Sequence, residues 1–484
     1  MRKLNIKSSV IIAFFFAIIA FSSCKDWLTV APEDKLVKEK FWTKTEDVNS
    51  ALAATYDAMR NASLPALIMG EVRADLAIFS GADFGDYVRI GQSNISPTNS
   101  VVNWKDYYAA INLANTLMYY DKEVFKIDKT FTKEMLDAVD SEALFIRSLA
   151  YFYLVRLWKD VPLVLEASIS DTTNLYIGKS PENVVIGQII TDLLKAKDMA
   201  YTTQFQGSSY FTGRANKYSI MALLADVYLW NEQYAKCVEY CDAVISSGLY
   251  DLEGAESYFR VWYPGNSPVE SILEFQYDDA LDNQDNPIYD KLIPVYGAPQ
   301  VGLNTKNVNL LMNREDTRNF AGRSATWKYQ GKDILGLVGR TGTERDANWI
   351  IYRYADIMLM KAEALIELNR FEEANALIRE TLLRAGMPYE ENFDKATLRK
   401  ALLDEKGREF LLEGKRWFDL LRAAKRNKFE NKQIIINMIL SGADIKQQAV
   451  LRTKVYDTLS YYLPIAEHEL IYNQNLVQSP YYDR

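Results

Sequence analysis

The strongest constraint on the fold is a pair of matching segments. LLADVYLWNEQYAKCVEYCDAVI, residues 223–245, aligns with LMKAEALIELNRFEEANALIRET, residues 359–381. Ala225 and Tyr234 are spaced as Ala362 and Phe371 are; Cys237 then falls on Ala374 and Cys241 on Ile378. A small residue in one slot lets two helices approach closely, and Tyr228 or Leu365 fills the gap above it. This is the pattern of a tetratricopeptide repeat, a helix–turn–helix unit of about 34 residues. One unit cannot bury its own apolar face, so further helical pairs must stack beside these two. Apolar residues three and four apart in DVNSALAATYDAMRN, WKDYYAAINLANTLMYYDKEVF and EMLDAVDSEALFIRSLAYFYLVRLW supply candidates. Ser180-Pro181-Glu182 predicts another helix start, with a cap, a proline at the first helical position and an acid in the first turn.

The pattern breaks between the two repeats. Residues 251–349 are rich in Gly, Pro, Asn and Asp, with a short strand-like run, SILEFQY, and a polar loop, DDALDNQDNP. A loop-rich stretch of this length inside a compact domain is usually functional. The expected fold is mostly α: tetratricopeptide-like pairs stacked into a superhelical scaffold, with a loop-rich insertion containing short β elements. The expected organisation is helical repeats over about 40–250 and 350–425, a ligand-binding insertion over about 251–349, and an irregular C-terminal segment over 426–484. Tyrosines and prolines in that last segment suggest that it packs on the body.

The first residues give an address. Arg2, Lys3 and Lys7 precede an apolar run, VIIAFFFAIIAF, that is short for a membrane span and is followed by FSSC. Residues 1–23 read as a secretory signal to be excluded from the fold. Cys24, directly after the run, reads as the site of lipidation, so that 24–484 is anchored to a membrane rather than spanning it.

Counts exclude several chemistries. Loss of Arg2, Lys3 and Lys7 moves the net charge from −8 to −11, which argues against nucleic acid and against adhesion to anionic lipid. His468 is the one histidine, and no G-x-S-x-G motif accompanies it. A zinc site needs more His and Cys than the chain offers. Cys237 and Cys241 fall in packing slots of the repeat. No P-loop and no dinucleotide fingerprint occur, so no cofactor or metal is expected. The acidic run at 278–285 lacks the EF-hand spacing and reads as a solvated loop.

EFLLEGKRWFDLLR, residues 409–422, poses the sharpest functional question. Glu413, Arg416 and Asp419 recur every three residues, so on a helix they lie near one another. They are either a catalytic acid pair or a brace.

Five segments, in order from Cys24 to Tyr481, resemble the SusD/RagB family of outer-membrane nutrient-binding lipoproteins. They are CKDWLTVAP, ALFIRSLAYFYLVRLWKDVPLV, YRYADIMLMKAEAL, DEKGREFLLEGKRWFDLLR and YYLPIAEHELIYNQNLVQSPYY. Lys159 departs from that pattern where the family commonly has glycine, as do Lys406 and Ser479 at their positions. The resemblance implies a non-catalytic protein on the outer face of the outer membrane. It would bind an oligosaccharide, or a peptide in RagB-like members, and deliver it to a SusC-like TonB-dependent transporter. It also implies that these motifs are framework. Arg147, Arg353 and Asp356 lie on apolar helices where an unpaired charge is costly. With Glu413, Arg416 and Asp419 they are expected as ion pairs bracing stacked repeats, Arg416 reaching both acids. Gly414 is expected to end or bend the helix. A glycoside hydrolase would instead need two facing carboxylates across an open cleft, clear of arginines that depress their pKa values. A scaffold that binds only protein would lack a ring-lined cleft.

Sugar recognition needs exposed rings beside amides or carboxylates. Aromatic residues on helical stripes are core, which discounts Tyr151, Phe152 and Tyr228. The candidates outside the stripes are Asp83, Phe84 and Tyr87; Trp262 and Tyr263; Tyr277, Asp282, Asn283 and Tyr289; and Trp327. Each ring could instead anchor its loop to the body.

Overall fold

A computed structural model describes residues 41–80, 85–170, 172–202, 212–278, 286–293, 299–313, 315–318, 327–331, 339–340, 344–443 and 445–483. The signal segment and Cys24 lie outside the described residues. The long helices are α1 Thr45–Asn61, α2 Lys105–Ile127, α3 Lys133–Trp158, α4 Glu182–Met199, α5 Lys217–Trp230, α6 Tyr234–Ile245, α7 Tyr354–Glu367, α8 Phe371–Arg384, α9 Lys395–Glu409, α10 Arg416–Phe429, α11 Gln433–Gly442 and α12 Ile445–Val455. Each packs on the next in chain order, from α1 to α12. The fold is mostly α, with tetratricopeptide-like pairs stacked in succession.

The aligned segments form the hairpins α5–α6 and α7–α8, and α6 packs directly on α7. Ala225, Ala362, Cys237, Ala374, Cys241 and Ile378 are all fully buried. The equivalence extends to the turns. Glu232 and Asn369, at matching positions, take left-handed φ values of +57° and +59°. Cys237 and Cys241 are free thiols inside the core. Burial pushes the Cys237 thiol well up, so it acts as a small apolar residue.

Two helix ends differ from the sequence reading. Helix α4 starts at Glu182, with Pro181 as its N-cap and Ser180 in a strand. The cap comes from Asp160, whose Oδ1 accepts the Glu182 N–H at 3.0 Å. Residues 426–484 are not irregular throughout, because α11 and α12 fall within them. Ile435, Ile436 and Ile439 give α11 a buried stripe at helical spacing. Beyond Val455 the chain is held by long-range bonds. Leu463 N donates to Leu157 O at 2.7 Å, and Trp158 Nε1 to Pro464 O at 2.8 Å. Lys159, closing α3, takes φ +68° and ψ −74°.

Short strands fasten the loops. β1 Ala77–Phe79 pairs antiparallel with β5 Val301–Leu303, and β2 Val161–Pro162 with β3 Lys179–Ser180. β4 Ser271–Phe275 pairs antiparallel with β6 Trp349–Arg353, setting Ser271 opposite Arg353. Both strands of this last ribbon are buried along their whole length, and it closes the insertion at the foot of α7.

Candidate functional site

Helix α9 ends at Glu409 and α10 begins at Arg416, so residues 410–415 form a turn rather than one continuous helix. Leu412 and Gly414 are left-handed there, at φ +65° and +73°. Glu413 therefore lies in the turn, off the helix that carries Arg416 and Asp419, and Arg416 does not join the two acids as expected. Its Nε and Nη2 donate to the carboxylate of Asp75 at 2.8 and 3.0 Å, and its Nη1 to Leu403 O at 2.8 Å.

The acids of this block sit inside a charge network that reaches far along the chain. Arg353 donates to both oxygens of Glu413, at 3.0 and 2.9 Å, to Glu409 at 2.6 Å, and to Glu270. Arg318 binds Asp316, Glu405 and Glu409, and Arg384 binds Glu270 and Glu409. Lys415 holds Asp356, and Asp419 faces Lys406 and Arg422. Arg147 grips Asp192 on α4 with two bonds, at 2.9 and 2.8 Å. Burial alone would raise Glu413, but Arg353, Lys328 and Lys415 outweigh it and hold the carboxyl at about 2. Burial likewise opposes ionisation of Glu409, where Arg384, Arg353 and Arg318 prevail and the pKa is well below normal. These carboxylates stay charged at neutral pH and are fully enclosed, which suits bracing and not proton transfer.

The sequence candidates for ligand contact separate into three groups. Asp83, Phe84, Asp282 and Asn283 lie outside the described residues, as does the side chain of Trp327. Trp262, Tyr277 and Tyr289 are only 2%, 7% and 1% exposed. They anchor loops and offer no face for stacking. Trp262 is pressed between Tyr258, Lys328 and Arg353, and Tyr277 lies under Arg60. Tyr87 is half-buried with its ring 4.7 Å from Phe79. Tyr263 stands apart. It lines an open depression of about 730 Å³ with Glu256, Ser257, Phe259, Arg260, Pro264 and Gly331.

Gly331 makes that position possible. Its φ is +64°, and a Cβ on it would stand 1.9 Å from the Cβ of Tyr263. The guanidinium of Arg340 lies 5.1 Å from the Tyr263 ring centre.

A second open depression, of about 690 Å³, lies between α1 and the end of β4. Asn49, Tyr56, Asp57, Arg60, Arg214 and Gln276 line it. The Tyr56 hydroxyl donates to Glu142 at 2.6 Å, Arg214 Nε to Glu142 at 3.0 Å, and Arg60 Nη1 to Gln276 O at 2.9 Å. The two depressions flank the turn 263–266. Asn266 Oδ1 accepts from Gln276 Nε2 at 2.6 Å, and Pro264 borders the first depression. Sequence reasoning missed this second patch, because Tyr56 and Arg60 lie on a helix that otherwise reads as framework. It missed Arg260 too, although that residue shares the run YFRVWYPG with Tyr263; Phe259 beside it is buried. Together the depressions offer rings, amides, hydroxyls and charged groups in open space, the chemistry of polyol recognition.

The class these features define is a helical-repeat scaffold presenting a loop-built face. A family model described as the SusD family matches residues 258–482, and one described as starch-binding, associating with outer membrane, matches residues 26–229. SusD-like protein P38 of Formosa agariphila is 27% identical over 473 residues, covering 86% of this chain and 91% of that protein. A SusD superfamily structure from Bacteroides vulgatus has a TM-score of 0.75 at 22% identity, covering 91% of this chain and all of that one. Another from Bacteroides thetaiotaomicron has a TM-score of 0.73, also at 22% identity. The chain belongs to the SusD/RagB family. Among the described residues no helix is long and apolar enough to cross a membrane.

Proposed function

We propose that the protein is a non-catalytic carbohydrate-binding lipoprotein of the outer membrane, anchored through Cys24 and facing outward. It captures an oligosaccharide on the Tyr263 face and passes it to a SusC-like TonB-dependent transporter. The observation that carries the binding reading is the place of Tyr263: a partly exposed ring in an open depression, beside a second depression lined by amides and charged groups. The family description, starch-binding and outer-membrane association, supports the same reading. The enclosed, arginine-tied acids of the 409–422 block support binding over hydrolysis. Calorimetry of the mature protein against a panel of polysaccharides and peptides tests it. A saccharide is expected to bind, and Tyr263→Ala to weaken it about fivefold or more, the loss of roughly 1 kcal/mol of ring contact. Binding of peptides alone moves the reading to RagB-like capture. Release of new reducing ends would replace it with an enzyme.

A further inference from the structure

Among its described residues, the insertion carries one lysine with no contact to water. Lys328 is fully buried, and its Nζ donates to the carbonyls of Glu409 and Leu411 at 3.0 Å each and to Glu413 Oε1 at 2.5 Å. It also lies 4.4 Å from the Trp262 ring centre. The ammonium thus occupies the C-terminal end of α9, where unsatisfied carbonyls favour a cation. Next to it, the Tyr329 hydroxyl donates to Leu412 O at 2.8 Å. The turn 327–331 is therefore fixed to the charged core at its start and meets Tyr263 at Gly331. Arg340 closes the circuit, donating to Trp262 O and to Tyr329 O, the latter at 3.1 Å.

We propose that Lys328 is the positioning residue of the Tyr263 face: its ammonium pins the turn 327–331 and Trp262 to the end of α9, and so holds Tyr263 at the depression. The role this gives Tyr263 rests on the carbohydrate-binding reading; the pinning itself does not. The charged groups facing Lys328 come from every element around it. Glu409 and Glu413 belong to the α9 end and its turn, Arg353 to β6, and Glu71 to the segment 68–72. Burial is the largest influence on Lys328 and pushes it down to about 8, against the pull of Glu413. The folded pKa of Lys328 lies below that of the free side chain, so the opened turn binds more protons than the closed one, and opening becomes harder, not easier, as pH rises from about 8 towards 10.

Hydrogen exchange on the mature protein reads this without any ligand. Trp262 N and Tyr263 N both donate to Phe259 O at 3.0 Å, so their protection reports the turn. After correction for intrinsic rates, the wild type should keep or gain protection at 258–264 between pH 7 and pH 9. Lys328→Met, which leaves Glu413 and the carbonyls of Glu409 and Leu411 without their donor, should lose about tenfold or more in protection at 258–264 at pH 7, while α5–α6 keeps its protection. Lys328→Arg, which keeps a charged donor, should protect the turn better than Lys328→Met. Protection at 258–264 in Lys328→Met equal to that of the wild type overturns the proposal. If Lys328→Met unfolds globally, Lys328→Gln at pH 7 decides it: protection at 258–264 equal to that of the wild type overturns it. Retardation of the protein in gels containing soluble starch, with Tyr263→Ala as control, tests the ligand reading separately. Failure there leaves the exchange result standing.

Discussion

The hairpins α5–α6 and α7–α8 and the insertion that separates them are held in place by different physics. In the hairpins, apolar side chains fill equivalent slots, and neighbours in sequence are neighbours in space. In the insertion, buried charges do the fastening, and beyond Asp316 beside Arg318 these partners lie far along the chain: Arg353 with Glu409 and Glu413, Arg318 with Glu405, Lys328 with Glu413. The first arrangement tolerates exchange of one apolar residue for another of similar size. The second does not tolerate loss of a single partner, because the others remain charged in a place without water. The contrast teaches that the loops of this protein are presented rigidly by a core that is ionic where the loops meet it.

Removal of one network member should have the largest effect. Arg353→Met leaves Glu270, Glu409 and Glu413 short of a cation, and a loss of about 3–5 kcal/mol is expected in urea unfolding. A loss under 1 kcal/mol would erase the distinction between the two regions. Overpacking the repeat slots comes next. Ala225→Leu and Ala362→Leu should each cost about 1–3 kcal/mol. The two losses should match, since both positions are fully buried in equivalent hairpins; a large disparity would mean that the hairpins are similar in outline only.

The third experiment uses pH. Asp121, on α2, is pushed up to about 8 by burial and by the neighbouring Asp140. Its folded pKa lies above the unfolded value, so its contribution is complete below about pH 4 and declines as pH rises toward 8. Glu413 behaves oppositely: held at about 2, it contributes above pH 4.5 and loses that contribution as pH falls. Asp121→Asn should match the wild type at pH 4 and exceed it by about 1–3 kcal/mol at pH 8. Equal stability at pH 8 would place the Asp121 proton elsewhere.

Much of the hairpin architecture was legible because it is periodic. The Ala225 and Ala362 slots, and the turns after them, repeat at one interval. The charge network was legible only in part. Arg147, Arg353 and Glu413 stand out as charges in apolar surroundings, but their partners are set by contacts between distant segments. Asp75, Glu270 and Lys328 carry no local sign of their roles. The C-terminal helices were obscured by the tyrosines and prolines that follow them. Of the candidate rings, Tyr263 reaches open space while Trp262, its neighbour, is a loop anchor. Composition cannot separate two adjacent aromatics that the turn points in opposite directions.

Smaller effects sharpen the comparison at its seam. Gly331→Ala should cost more than the roughly 1 kcal/mol of a left-handed backbone, because its Cβ would also stand 1.9 Å from the Cβ of Tyr263. Its larger expression is displacement of Tyr263, seen as lost saccharide binding in calorimetry; unchanged binding would show that the ring is not the contact. Lys159→Gly should raise stability by up to about 1 kcal/mol, since φ +68° with ψ −74° is strained for any residue with a Cβ. No rise in thermal midpoint would mean that the lysine makes up the strain elsewhere.

The close approach of Gly70 to Gly414 sets an order of events. A Cβ at Gly70 would stand 2.0 Å from the Gly414 carbonyl oxygen, so the two backbones touch with nothing between them. Around that point Lys415 N donates to Glu71, Arg416 grips Asp75, and Arg73 donates to Tyr461 O. A ribosome delivers the early strand of this clasp long before the late one. Residues 70–75 must therefore wait, unmated, until nearly the whole polypeptide exists. A product cut short before residue 414 leaves Glu71, Arg73 and Asp75 without these mates.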